Sequence, residues 1–151
     1  MFERILICSD GSAQAIEAAR LGCEIARQCS SQVTVLFVYE APEALAYSAM
    51  GYNTLLGHGL FDPDRMKKQS EEAHRRVEEQ TDPVFREAGV KFEYLHADGN
   101  PVETILQVAS DQQVELIVLG SRGMGGFKSL MLGSVSDGVL HHAHCPVLIT
   151  R

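Results

Sequence analysis

Five short apolar runs along the chain predict five buried β-strands, at residues 4–9, 33–39, 91–96, 115–119 and 146–150. Most of these runs are continuously apolar and rich in Val, Ile and Leu, without regular alternation with polar residues. This composition is typical of strands in a parallel sheet that is covered on both faces. The pattern therefore favours helices on both sides of the sheet.

Segments with helical periodicity separate several of these runs. The first, residues 12–29, begins at Ser12, a plausible N-cap, and its predicted buried face consists of Ile16, Ala19, Cys23 and Ala26. The second, residues 64–88, contains Pro83, which we expect to kink or interrupt the helix. Its predicted buried face consists of Met66, Ala73, Val77, Val84 and Ala88.

Two shorter helices are predicted in the second half of the chain. One starts with Asn100 as the cap, Pro101 in the first turn and Glu103 three positions after the cap. Its predicted buried face consists of Val102, Ile105, Leu106 and Ala109. The other covers residues 134–142, and its predicted buried face consists of Val135, Val139, Leu140 and Ala143.

The alternation of strands and helices predicts an α/β fold, a five-stranded parallel sheet sandwiched by helices through right-handed crossovers. A chain of 151 residues with 45% hydrophobic residues is expected to form one domain, residues 1–151. One connection is unusually long. The segment 41–63 is rich in both glycine and large apolar residues, so it either folds onto its own domain or acts as a lid or partner contact.

Charge and composition exclude several classes of function. A net charge of −7 argues against binding to nucleic acid. No apolar run approaches the roughly 18 residues that a membrane-spanning helix needs, so membrane insertion is not expected. The N-terminus does not resemble a signal peptide, which predicts a cytoplasmic protein. We expect reduced thiols at Cys8, Cys23, Cys29 and Cys145, a disulfide framework being the alternative.

A glycine-rich segment follows the fourth predicted strand, with glycines at positions 120, 123, 125, 126 and 133. Glycine permits positive φ and a close backbone approach to an anion, and the free N–H groups of a helix start attract negative charge. The segment contains neither the P-loop pattern GxxxxGK[ST] nor the dinucleotide pattern GxGxxG. It predicts a phosphate-binding loop of another kind, a plain flexible connection being the alternative.

The order Gly120, two residues, Gly123, nine residues, Gly133 and Ser134 resembles the G-x2-G-x9-G-(S/T) signature of the universal stress protein family, in its ATP-binding branch. The segment ILICSDGS, residues 5–12, resembles the opening strand and turn of that family, and HCPVLITR, residues 144–151, resembles its closing strand. The resemblance covers nearly the whole chain. It implies a Rossmann-like fold, similar to that of the adenine nucleotide alpha hydrolases.

The resemblance also implies a site for ATP or AMP, which Mg²⁺ can accompany. Asp10 is expected to contact the ribose and Val38 to line the adenine pocket. The phosphates are expected to lie against Gly120, Gly123, Gly133, Ser134, Val135 and Ser136. Ser9, Leu119 and Arg122 complete the predicted site, and Lys128 adds a further cation. The chain departs from the family at Cys8 and Ser9, where relatives often have Pro or Ala and then an apolar residue.

Chemistry supports some of these roles independently. A carboxylate at Asp10 can accept hydrogen bonds from both ribose hydroxyls, and the hydroxyls of Ser134 and Ser136 can donate to phosphate oxygens from a helix start. Asp10 could also serve only to favour the start of the first helix, and the two roles are compatible.

A cluster of possible metal ligands lies near the C-terminus, at His141, His142, His144 and Cys145. Because most of these residues fall at a helix end, where imidazolium is favoured by the carbonyl dipole, no metal site is predicted. No catalytic residue is predicted either, since the motifs supply no obvious general base, nucleophile or pair of metal-holding carboxylates.

The leading hypothesis is therefore a nucleotide-binding regulatory or sensor module in the stress response, with little or no catalysis. The resemblance implies a homodimer formed through the last strand, and the regulated protein partner is unknown. An ATP-hydrolysing or adenylyl-transferring enzyme, with Asp10 helping to hold Mg²⁺, is the alternative. An interaction protein with a vestigial site is a third hypothesis, against which the intact glycine spacing argues.

Overall fold

A computed structural model describes residues 1–41, 62–123 and 132–151. Most of the segment 41–63, together with Gly125, Gly126 and Lys128, lies outside the described residues. The elements in chain order are β1 (Arg4–Cys8), α1 (Ala13–Cys29), β2 (Gln32–Tyr39), α2 (Pro63–Ala88), β3 (Phe92–Asp98), α3 (Pro101–Asp111), β4 (Leu116–Gly120), α4 (Ser134–His142) and β5 (Val147–Thr150).

The five strands form one parallel sheet in the order β3-β2-β1-β4-β5. The predicted five-stranded parallel sheet with helices on both faces is confirmed. Strand β3 runs to Asp98, past the predicted end at residue 96, because Ala97 and Asp98 continue the pairing with Val38 and Tyr39 of β2.

The apolar runs fill two cores, one on each face of the sheet. Successive residues of a strand point to opposite faces, so Ile7 of β1 belongs to one core and Leu6 to the other. The first core lies under α1 and α2 and includes Val35, Phe85 and Val118. The second lies under α3 and α4 and includes Leu36, Ile105, Ile117 and Val139.

Side-chain caps fix the starts of the first three helices. The Ser12 hydroxyl accepts a hydrogen bond from the Ala15 N–H at 3.3 Å, as predicted for α1. The Asn100 side chain accepts from the Glu103 N–H at 3.1 Å, and Pro101 opens α3. Asp62 caps α2 in the same way.

Helix α2 departs from the prediction in two respects. Pro83 lies inside the helix and does not interrupt it. Three polar side chains belong to its buried face, which consists of Ser70, His74, Val77, Thr81, Val84 and Phe85. Apolar periodicity alone does not detect these polar positions. On α4, Leu140 is 45% exposed, so its predicted burial is wrong.

All four cysteines are free thiols, as expected. In residues 1–41, 62–123 and 132–151, no helix combines the length and the apolar character that crossing a membrane requires.

Candidate functional site

A cavity of about 750 Å³ lies at the carboxyl ends of β1, β2 and β4. Strand β1 has β2 on one side and β4 on the other, so successive crossovers diverge here, where ligands of open parallel sheets bind. The structure brings every residue of the predicted site to the wall of this cavity. These residues are Ser9, Asp10, Val38, Leu119, Gly120, Arg122, Gly123, Gly133, Ser134, Val135 and Ser136.

The turn after β1 is built by its own polar side chains. Ser9 is 3% exposed, and its hydroxyl lies 3.0 Å from the Thr81 hydroxyl of α2 and accepts from the Gly11 N–H at 3.3 Å. One carboxylate oxygen of Asp10 accepts from the Ser12 N–H at 2.9 Å. Asp10 therefore helps to build the start of α1 while its side chain also reaches the cavity, so both roles expected for it are compatible with the geometry.

The glycines of the predicted phosphate loop are needed because neighbouring atoms come close to them. A Cβ on Gly120 would lie 2.9 Å from the carbonyl carbon of Gln14, in the first turn of α1. A Cβ on Gly123 would collide with the Oδ2 atom of Asp10, and one on Gly133 would lie 3.3 Å from the Ser121 carbonyl oxygen. Glycine at these positions keeps the backbone close to the cavity.

The described glycines of this loop do not adopt the positive φ that glycine permits. Of the described glycines, Gly11, Gly89 and Gly99 have positive φ, and Gly133 has a φ of −68°. Close approach, and not left-handed backbone geometry, explains the spacing found in the sequence.

Helix α4 starts at the cavity without a side-chain cap. Its N-cap residue is Gly133, which has no side chain that could accept a hydrogen bond. The first-turn N–H groups of Ser134, Val135 and Ser136 therefore have no capping side chain. These donors, together with the helix dipole, favour an anion at the cavity wall.

Ser136 has a different role from the one predicted. Its side chain is buried, and its hydroxyl donates to the carbonyl oxygens of Ser121 at 2.9 Å and Gly133 at 3.0 Å. The Gly133 N–H also donates to the Ser121 carbonyl, at 2.8 Å. The single hydroxyl proton of Ser136 therefore joins the two ends of the loop, and the expected donation of that proton to a phosphate does not fit this geometry.

An apolar wall closes the side of the cavity nearest α3. It is formed by Cys8, Leu36, Val38, Pro101, Ile105, Leu119 and Val135. Burial raises the pKa of the Cys8 thiol to about 12, so the thiol stays protonated at neutral pH and presents a small, weakly polar surface. The departure from the family at Cys8 is thus compatible with packing against a flat aromatic base.

Helix α2 supplies a wall that sequence analysis missed. Ala73, Arg76, Val77 and Gln80 line the cavity at helical spacing, and Tyr39 and Glu40 adjoin them from the end of β2. The periodicity of residues 73, 76, 77 and 80 marks one helix face. The sequence alone does not show that this face meets the end of β1.

The histidines near the C-terminus bond to their own helix. A ring nitrogen of His141 lies 2.8 Å from the Asp137 carbonyl oxygen, and one of His142 lies 2.9 Å from the Gly138 carbonyl oxygen. Within the described ranges, no group of three or more His, Cys, Asp or Glu side chains is arranged to hold a metal ion.

Comparison with known proteins identifies the family. Residues 1–151 match the sequence model of the universal stress protein family. Universal stress protein YxiE of Bacillus subtilis is 32% identical over 151 residues, which cover 100% of both chains. Protein MJ0577 of Methanocaldococcus jannaschii superposes with a TM-score of 0.78 at 26% identity, over 99% of this chain and 96% of its own.

A further solved structure, of the universal stress protein from Archaeoglobus fulgidus in complex with dAMP, superposes with a TM-score of 0.67 at 20% identity. The match covers 99% of this chain and 98% of that one, which shows a shared fold. With the family sequence match extending over its whole length, the chain belongs to the universal stress protein family.

Proposed function

We propose that the chain binds an adenine nucleotide, ATP or AMP, in the cavity at the carboxyl ends of β1, β2 and β4, and acts as a regulatory or sensor module in the stress response. One observation carries the proposal. A carboxylate after β1, closely packed glycines after β4 and the uncapped start of α4 converge on a single cavity. Its volume of about 750 Å³ falls in the range of small-molecule sites.

Each part of a nucleotide has a matching surface. The apolar wall that includes Val38 and Leu119 suits the adenine ring. Asp10, which lines the cavity with its carboxylate against Gly123, suits the ribose hydroxyls. The loop glycines and the exposed Ser134 at the start of α4 suit the phosphates, because backbone N–H groups and a helix dipole favour anions there. The dAMP complex of the A. fulgidus protein, which has the same fold, supports this class of ligand.

The lining of the cavity supports binding without efficient chemistry. Among the described lining residues the acidic side chains are Asp10 and Glu40, and none is a His or a Lys. The Cys8 thiol is protonated at neutral pH and is a poor nucleophile. Because no described cluster is arranged to hold a metal, we expect Mg²⁺ to arrive with the nucleotide and to be held mainly by its phosphates.

We further propose that the chain is a homodimer joined through β5 and acts on a protein partner. Strand β5 ends the order of described strands, and an edge strand presents unpaired backbone groups that a second copy can pair with. A change in nucleotide occupancy at β4 and α4, next to β5, then has a direct route to the dimer interface.

Nucleotide analysis and titration test the proposal together. Purified protein is denatured and any released nucleotide is identified by mass spectrometry, and the nucleotide-free protein is then titrated with ATP and AMP by calorimetry, with and without Mg²⁺. Co-purified nucleotide or micromolar binding, with product formation far below about 1 per second, is the expected result. Faster turnover supports the hydrolase or transferase alternative, and no binding at all contradicts the proposal.

A further inference from the structure

The cavity extends onto the face of the sheet that carries α2, beyond the surfaces assigned to adenine and ribose. Along β2, Leu36 and Val38 pack into the core under α3 and α4. Phe37 and Tyr39 alternate with them and contact the ring of His74 on α2, with centroid distances of 5.1 and 6.5 Å. Residues from both faces of the sheet line the same cavity, so a ligand that contacts Val38 also lies close to α2.

Two neighbouring arginines on α2 differ in their surroundings. Arg75 is engaged along the helix, since its Nη1 atom lies 3.1 Å from Glu79 Oε1, and it does not line the cavity. Arg76 lines the cavity, and in the described residues it has no ion-pair partner within 4.0 Å. Four residues after Arg75 lies the acidic Glu79, whereas four residues after Arg76 lies the neutral Gln80. Glu72 and Glu79 lie four residues before and three residues after Arg76, and neither forms an ion pair with it within 4.0 Å. The guanidinium of Arg76 is thus exposed beside the cavity without a direct ion-pair partner among the described residues.

A short series of contacts connects this helix face with the phosphate loop. The side-chain oxygen of Gln80 occupies the space that a Cβ on Gly11 would need. Gly11 follows Asp10, whose carboxylate in turn occupies the space of a Cβ on Gly123. The face of α2 that carries Arg76 and Gln80 therefore borders the same end of the cavity as the loop after β4, on the side away from α4.

Charge also favours a role for Arg76. The chain carries a net charge of −7, and Asp10 and Glu40 place two acidic side chains on the cavity wall. Arg76 and Arg122 are the basic side chains among the described lining residues. A polyphosphate entering such a cavity requires cationic partners, and the guanidinium group binds phosphate oxygens through paired N–H donors.

We propose that Arg76 is a phosphate-binding residue, contributed by α2, that faces the α4 helix start across the nucleotide and favours ligands with more phosphate charge. The inference rests on the proposed nucleotide site and adds a determinant of preference between ATP and AMP. Gln80 lies one turn away, against the backbone that holds Asp10, and completes the polar part of the same face.

Calorimetric titration of four proteins tests this inference: the native chain, Arg76→Ala, Arg76→Lys and the matched control Arg75→Ala. Each is titrated with adenosine, AMP and ATP at low and moderate salt. We expect Arg76→Ala to weaken ATP binding roughly ten- to a hundredfold, to weaken AMP binding less and to leave adenosine unchanged. Arg76→Lys should retain part of the affinity, and Arg75→Ala should stay within about twofold of the native chain for every ligand.

Each outcome separates the two proposals. If the native chain binds nucleotide and Arg76→Ala behaves like Arg75→Ala, the role of Arg76 is wrong while the proposed function stands. An equal loss for adenosine and ATP would place Arg76 on the base or ribose and overturn the phosphate assignment. If the native chain binds none of the three ligands, both proposals fail. Thermal unfolding of the variants checks that these exposed positions leave the fold intact.

Discussion

Two glycines of the same loop serve different purposes at the level of single residues. At Gly120 the atoms closest to an added Cβ belong to Gln14 and Ala15 in the first turn of α1. Two of these are backbone atoms, which cannot shift without distorting the helix. At Gly123 the closest atom is a carboxylate oxygen of Asp10, at the end of a side chain that can rotate. One position therefore protects the packing of β4 against α1, and the other protects the placement of the Asp10 carboxylate, to which we assign the ribose in the proposed site.

Substituting these glycines by alanine should separate stability from binding. Gly120→Ala is expected to lower the free energy of unfolding by about 1–3 kcal/mol, as overpacking against backbone does. Gly123→Ala is expected to change stability much less and to weaken nucleotide binding roughly tenfold, because Asp10 must leave its position. Urea denaturation and calorimetric titration of both variants measure the two effects. A Gly123→Ala protein with native affinity would contradict the assignment of the loop.

The protonated Cys8 thiol predicts a specific pH dependence. Burial raises the pKa of Cys8 from 9.0 to about 12 and that of Cys23 to about 11, so folding favours the neutral thiols. Their contribution to stability is fully present below pH 9 and is lost as the pH rises from 9 towards 12, because the unfolded chain ionises first.

Alkylation by iodoacetamide at pH 8, followed by peptide mass spectrometry, tests whether the Cys8 thiol is buried and protonated in the folded protein. We expect the half-buried Cys29 of the native protein to react well before Cys8, and saturation with nucleotide to slow the reaction at Cys8 further. In urea the two thiols should react at similar rates. Equal rates in the folded protein would show that Cys8 is not shielded as the structure indicates.

At the level of elements, the strands and most helix starts could be predicted because their determinants are local. Continuous apolar runs mark strands that are covered on both faces, and the caps at Ser12 and Asn100 act within three residues. The buried face of α2 could not be predicted, since Ser70 and Thr81 are buried against partners distant in sequence. The Ser70 hydroxyl donates to Asp98 at 2.7 Å, and Thr81 lies 3.0 Å from Ser9.

The pair formed by Thr81 and Ser9 attaches α2 to the end of β1, and its removal should be measurable. Thr81→Val preserves the shape of this fully buried side chain but removes the hydroxyl, leaving the Ser9 hydroxyl without its partner on α2. We expect a loss of about 1–2 kcal/mol in the free energy of unfolding, measured by urea denaturation.

The control for this prediction is Thr81→Ser, which keeps the hydroxyl and removes a methyl group. It should retain the hydrogen bond and lose only the smaller packing contribution of about 1 kcal/mol. A Thr81→Val protein as stable as the native one would show that the contact between the two hydroxyls contributes nothing to folding.

For the whole molecule, the position of the candidate site could be predicted from the order of strands and helices. The complete set of residues that line the site could not. The sheet order and the divergence of crossovers at β1 place the site at the carboxyl ends of the strands, as alternating strands and helices predict. The contribution of Arg76 and Gln80 depends on how α2 packs across the sheet, a tertiary relationship that local periodicity does not encode. The proposed dimer depends likewise on which backbone groups of β5 face outward.

The hydrogen bonds of β5 identify those groups. The carbonyl oxygens of Pro146 and Thr150 accept from the Ile117 and Ser121 N–H groups of the β4 side, at 3.0 and 2.7 Å. Because strand residues alternate in direction, the N–H and C=O groups of Val147 and Ile149 point away from β4, towards the edge where no described strand pairs with β5. If β5 pairs with its copy in a second chain, the Ile149 N–H is available to that pairing and is not needed inside the chain.

Two substitutions at Ile149 therefore test the proposed dimer. Ile149→Pro removes the outward N–H group. Ile149→Ala keeps this N–H group and shortens the side chain to a single methyl group. Both lose side-chain packing against the core under α3 and α4, so both should lower the unfolding temperature. Sedimentation velocity should show a dimer for the native chain and for Ile149→Ala, and a monomer for Ile149→Pro. A native monomer would mean that the proposed dimer does not form. An Ile149→Pro protein that remains dimeric would mean that the subunits do not associate through the backbone of β5, since proline at this position removes the outward hydrogen bond whatever the side chains contribute.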